Sequence, residues 1–162
     1  MSGPQTIFDK PNRYIGQPEV RRDAKRLLHG RGQYVDDLAL PRMLHAAFVR
    51  SPYAHAKILS IDVDEARVLP GVVAIYSGAD LAESVEPYVG VLSHMVGLRS
   101  APQHPLAVDT ARWQGEPVVM VVAQSRAEAE DAAELIEVDF DPLPPVVDVE
   151  RALDQDTPVI HD

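Results

Sequence analysis

At 162 residues, of which 46% are hydrophobic and 25% charged, the chain is long enough to bury one core and too apolar to be disordered. It has no cysteine, which excludes a disulfide framework, a thiolate zinc site and a cysteine-held iron–sulfur cluster within it. The net charge of −10 is uneven: residues 1–60 carry ten Lys/Arg and five Asp/Glu, and residues 61–162 five and twenty, which argues against a nucleic-acid partner.

Residues 1–19, rich in Pro, Gly and polar side chains, read as an extended arm, and residues 20–162 as one domain. Val20 to His29 favours a short basic helix anchored by Leu27 and Leu28, with Gly30 as its C′ residue. Met43 to Arg50 is expected as a strand. Leu44, Ala46 and Phe48 share one face, and neither face is strongly polar, so both are expected to be at least partly covered. Ser51-Pro52 breaks it, and Ile58 to Val63 starts another strand. Asp62 or Asp64 is a candidate cap for a helical turn through Glu65–Leu69, stopped by Pro70-Gly71. Val72 to Tyr76 is β-rich and ends at Gly78, while residues 83–105 have no period and read as an irregular excursion.

The clearest signals follow. Pro117 to Ala123 is a nearly continuous Val/Met strand of the kind buried on both faces. Ser125 and Glu128 are spaced as a capping box, opening a helix to about Ile136 with Ala129, Ala132, Ala133 and Ile136 as its apolar stripe. Ile136, Val138 and Phe140 then alternate with Glu137, Asp139 and Asp141, as in a half-exposed strand closed by Leu143-Pro144-Pro145. The fold class expected is α+β, with a mixed β-sheet and a few short helices. The longest apolar runs are too short to cross a bilayer, and the N-terminus has no apolar h-region, so no membrane insertion and a cytoplasmic location are expected.

Chemistry is sparse. The six histidines form no metal-binding pattern, and no serine lies in a nucleophile elbow. Gly30-Arg31-Gly32 lacks a third glycine and does not follow a strand, so no dinucleotide cradle is predicted. Two places stand out. Arg50, Ser51 and His55 flank the sharp break at Pro52, and Gly115-Glu116 precedes the buried strand. Both read as a hydrogen-bonded structural or interface corner, the alternative being a catalytic role for Glu116 or His55. No catalytic, cofactor-binding or metal-ligating residue is assigned.

Five blocks carry a resemblance: RGQYVDDL (31–38), LHAAFVRSPYAHAKILSID (44–62), PGVVAIYSGADL (70–81), GEPVVMVVA (115–123) and AEDAAELIEVDFDPLPPVVD (129–148). In order and spacing they resemble the N-terminal α/β hammerhead domain of the molybdopterin-binding large subunit in the xanthine dehydrogenase, aldehyde oxidase and aerobic carbon-monoxide dehydrogenase family. Residues 1–19 and 83–104 match nothing in it, and Trp113 stands where the family often has a smaller aromatic. The resemblance implies a non-catalytic module or split subunit of a molybdenum hydroxylase-type oxidoreductase, with no cofactor bound by this chain. The assembled enzyme, acting on carbon monoxide, an aldehyde, a purine or an N-heterocycle, is expected to use molybdopterin with molybdenum. Its 2Fe–2S clusters and FAD would sit in an iron–sulfur subunit and a FAD subunit, partners alongside the molybdopterin-binding remainder of the large subunit. The alternative is an orphan interaction domain that keeps the fold without the enzyme.

Overall fold

A computed structural model of the protein describes residues 20–90 and 94–161, in two units that meet in the chain between Leu40 and Pro41. The arm expected over residues 1–19 lies outside the described residues.

In the first unit, helix α1 spans Ala24–Leu28, shorter than the expected 20–29. Asp23 stands at its N-cap, but its carboxylate is taken by the Arg21 guanidinium at 2.6 Å instead of capping a backbone N–H. The C-terminus follows the glycine rule. Gly30, at φ +66°, lets its N–H reach Leu27 O (3.0 Å) while Arg31 N donates to Arg26 O (2.9 Å), a complete Schellman pair. Leu28 is 86% exposed and Leu27 half-buried, so the described residues cover the expected apolar anchor only in part.

The second unit holds six strands: β1 (His45–Arg50), β2 (Ala56–Asp62), β3 (Val72–Ser77), β4 (Thr110–Ala111), β5 (Pro117–Ala123) and β6 (Glu137–Pro142). Helix α2 covers Asp64–Arg67, α3 Gly78–Ala82 and α4 Arg126–Glu134. The α+β class holds, but the strands form two antiparallel sheets, β1-β5-β3 and β4-β2-β6, in place of one mixed sheet. The cause lies in the connections. The chain leaves β2 through α2 and enters β3 in the other sheet, and leaves β5 through α4 and again changes sheet at β6. Neither helix returns the chain to the sheet it left, so no parallel neighbours arise.

The core lies under α4. Val119, Val121 and Ala123 of β5 are fully buried, as are Ala129 and Ala132 of the helix, with Val118, Ala66, Ala107 and Ile136 completing the apolar interior. Ala133 is only half-buried, at the margin of the stripe. Ser125 caps α4: its Oγ accepts from Glu128 N (3.3 Å) and donates to Glu128 Oε2 (2.8 Å). At α2 the N-cap is Val63, and neither expected aspartate occupies that position. Asp62 acts from one residue earlier, its Oδ1 accepting from Asp64 N at 3.0 Å.

The sequence reading missed α3, where Gly78 was expected only to end a strand. Ser77 Oγ accepts from Asp80 N (3.3 Å) and Ser77 N donates to Asp80 Oδ2 (2.7 Å), a reciprocal capping box that opens a helix directly after β3. The Asp80 carboxyl is held below its usual range, first by the Ser77 hydroxyl and then by the Ser77 N–H. The excursion after residue 82 is pinned where it narrows, with Tyr88 and Gln103 exchanging backbone hydrogen bonds of 2.8 and 2.9 Å.

Candidate functional site

Four of the five residues singled out from the sequence meet directly, where β1 ends and β5 begins. Ser51 N donates to Glu116 O (2.9 Å), Gly115 N donates to Ser51 O (2.8 Å), and Arg50 Nη1 donates to Gly115 O (2.9 Å). Gly115 sits at φ +87°, a left-handed conformation, with open space where a Cβ would be; the backbone angle, not crowding, favours glycine there. His55 is tied elsewhere. Its Nδ1 lies 2.9 Å from Pro144 O and, facing a carbonyl, must carry the proton; Leu143 N returns a bond to His55 O (2.9 Å).

Among the described residues the buried polar side chains are Ser51, His55 and Glu116, at 2%, 8% and 5% exposure. Ser51 Oγ donates to Tyr53 O (2.9 Å) and accepts from Tyr53 N (3.1 Å), so its hydroxyl closes the turn around Pro52. The Glu116 carboxylate accepts the Arg112 N–H, and the N–H of Trp113 also stabilises its charge. Burial pushes its pKa above the ordinary 4.5, and these two N–H groups and the Arg112 charge pull back only in part.

Beside Glu116 lies a hollow of about 390 Å³ lined by Gln103, His104, Asp109, Arg112, Trp113 and His161 among others. The Arg112 side chain serves backbone around it: Nε donates to Ile160 O (3.2 Å) and Nη1 to Thr110 O (3.1 Å). Its ion pair with Asp109 is long, 3.9 Å, and largely exposed on the Asp109 side. Arg112 and His104 were not picked out from the sequence, and Trp113 only as larger than the aromatic the family often has there. The one signal available was the acid four residues after Arg112 in the Arg-Trp-Gln-Gly-Glu run, spaced to fold back on its own turn.

The Ser51 hydroxyl is committed to Tyr53, and the bonded nitrogen of His55 to Pro144. Among the described residues no three His, Asp or Glu side chains converge as a group able to hold a metal ion.

A sequence model of the aldehyde oxidase and xanthine dehydrogenase a/b hammerhead domain matches residues 29–144. The chain belongs to this hammerhead-domain family. The carbon monoxide dehydrogenase large chain of Afipia carboxidovorans is 43% identical over 148 residues, a match covering 91% of this chain and 18% of the relative. Quinoline 2-oxidoreductase from Pseudomonas putida 86 superposes with a TM-score of 0.77 at 48% identity, covering 84% of this chain and 17% of that one. A Cu,Mo-CO dehydrogenase superposes with a TM-score of 0.73 at 41% identity over 88% of this chain. The hammerhead domain described here therefore spans less than a fifth of the length of these relatives.

Proposed function

We propose that the chain is the non-catalytic hammerhead module, or a split subunit, of a molybdenum hydroxylase-type oxidoreductase. Its partners in that assembly are the molybdopterin-binding remainder of the large subunit, an iron–sulfur subunit and a FAD subunit, in the cytoplasm. The observation that carries the reading is the family match over residues 29–144, set against relatives more than five times longer than the region matched.

At the corner the polar side chains are taken up by the backbone: Ser51 and Glu116 hold backbone N–H groups and His55 a carbonyl. No step of the reaction is assigned to this chain. On this reading Arg50, Ser51, His55, Gly115 and Glu116 form a structural corner. Through the bonds of Ser51 and His55 it joins the start of β5 and the segment after β6 to the β1–β2 connection.

The test is reconstitution. The chain is mixed with the polypeptide from the same organism that carries the molybdopterin-binding segments, and oxidation of aldehydes, purines, N-heterocycles and carbon monoxide is measured. Activity is expected only from the assembled set. Oxidation by the purified chain alone, or full activity of the remainder without it, overturns the proposal.

A further inference from the structure

The sheet β1-β5-β3 has two apolar faces, and its own unit covers one. The pairs Val49–Val119–Ser77 and Ala47–Val121–Ile75 point to the α4 side. On the other side the register aligns Phe48 with Met120 and Tyr76, and Ala46 with Val122 and Ala74. Phe48 is 42% exposed and Tyr76 38%, and Leu44, just before β1, is 46% exposed. At the end of this face the Arg50 guanidinium lies over the Phe48 ring, 5.5 Å from its centroid.

A sheet face meant for water alternates with polar residues, and this chain does so where it needs to. In β6 the outward positions are Glu137, Asp139 and Asp141. No such residue interrupts Ala46, Phe48, Ala74, Tyr76, Met120 and Val122 across three strands. Two aromatics, a methionine and a rim arginine are instead the composition of an interface centre.

We propose that this face docks against an apolar surface of the molybdopterin-binding remainder of the large subunit. The proposal rests on the function proposed above and adds the surface by which the assembly is made. The length of the relatives argues for that occupant: more than four-fifths of each lies outside the matched region, in the same polypeptide. Such a neighbour is always present at high effective concentration, so a permanently apolar face is tolerable there.

The experiment measures binding of the chain to that remainder from the same organism, by titration and by hydroxyl-radical footprinting. Phe48→Asp and Tyr76→Asp are each expected to weaken binding roughly tenfold or more, as loss of a central interface anchor does. Val68→Asp, at an exposed apolar position on the C-cap of α2, should leave it within about twofold. In the unmodified chain Phe48, Tyr76 and Met120 should become protected from radical oxidation on assembly. This readout does not depend on the folding of a variant. Wild-type-like binding by both aspartate variants, with no protection at these residues, overturns the docking face and leaves the proposed function standing. A wild-type chain that does not bind the remainder at all overturns both. Self-association of the chain that Phe48→Asp abolishes, with no change in binding to the remainder, assigns the face to a second copy and overturns this proposal.

Discussion

Gly78→Ala sets local helix propensity against packing, and the structure says which one wins. Gly78 is the first residue of α3, and replacing a helical glycine by alanine is ordinarily favourable by up to about 1 kcal/mol. Here a Cβ would sit 2.5 Å from the carbonyl carbon of Ala107 and 2.9 Å from Cα of Val108, and closer still to the Ala107 oxygen. Carbon atoms in contact prefer about 3.5–4.0 Å, so one backbone segment must move away from the other by roughly an ångström. Neither is free to do so. Ala107 N is bonded to Pro117 O at the start of β5 (2.8 Å), and the Ser77–Asp80 capping box holds α3. Overpacking of this kind costs about 1–3 kcal/mol or more, and with rigid backbone on both sides the upper end is the better choice. The net expectation is a loss of about 2 kcal/mol, or roughly 4–8 °C in Tm for a chain of this size. Gly97→Ala separates space from backbone angle, because Gly97 has φ +81° with nothing within 4 Å of its would-be Cβ. It should lose only about 1 kcal/mol, the cost of a left-handed alanine. Urea and thermal melts of both variants decide the matter. A Gly78→Ala protein as stable as wild type would show that the close approach of α3 to residues 107–108 is wrong.

Three further outcomes are expected. Ser125→Ala should destabilise by about 0.5–2 kcal/mol through loss of the α4 cap, whereas Ala132→Asp, which buries an unpaired charge, should cost about 3 kcal/mol or more; melts ranking them the other way would mean the helix presents a different face to the core. Glu116 is raised above 4.5 in the folded state, so between 4.5 and that raised value the native form binds more protons than the unfolded one, and stability falls as pH rises through the window. The stability of wild type relative to Glu116→Gln should therefore increase as the pH is lowered from neutral toward 4.5, and urea melts showing the opposite slope would refute the desolvated carboxyl. Asp80 is lowered below 3.8, so its contribution is present above that value and is lost as pH falls through the folded value. Asp80→Asn should cost about 1 kcal/mol at pH 7 and almost nothing well below the folded value, and a cost unchanged by acid would mean that charge plays no part in the cap.

The chemistry of the candidate corner was only half legible, for a physical reason. A break such as Arg50-Ser51-Pro52 and a glycine before a buried strand announce backbone geometry locally, and those residues were found. What they bond to is not local. Ser51 meets Glu116 across 65 positions and His55 meets Pro144 across 89, separations at which no periodicity or spacing rule speaks. His104 carries no signal of its own, Trp113 only its size, and both enter the site because the loops around residues 101–116 close a hollow. The family resemblance reached the fold by a different route, through residue order, and gave no partner for any of these side chains.

The division into two sheets, by contrast, was readable and was missed. A parallel crossover within one sheet needs a dozen or more residues, and only nine, 63–71, separate β2 from β3. That link is too short for β3 to lie parallel to β2 in one sheet, which leaves an antiparallel neighbour or a different sheet, and β3 takes the different sheet. The link from β5 to β6 spans thirteen residues, 124–136, which is just enough, so length alone does not decide it. Composition does. β5 is apolar at both parities and suits the centre of a sheet, where two strands flank it, whereas β6 alternates with Glu137, Asp139 and Asp141 and needs one face in water. A strand of that kind beside β5 would set three carboxylates next to an apolar row in which Phe48, Met120 and Tyr76 stand together. Pairing it with β2, whose Lys57 lies opposite Asp141, leaves those acids solvated and one of them beside a cation.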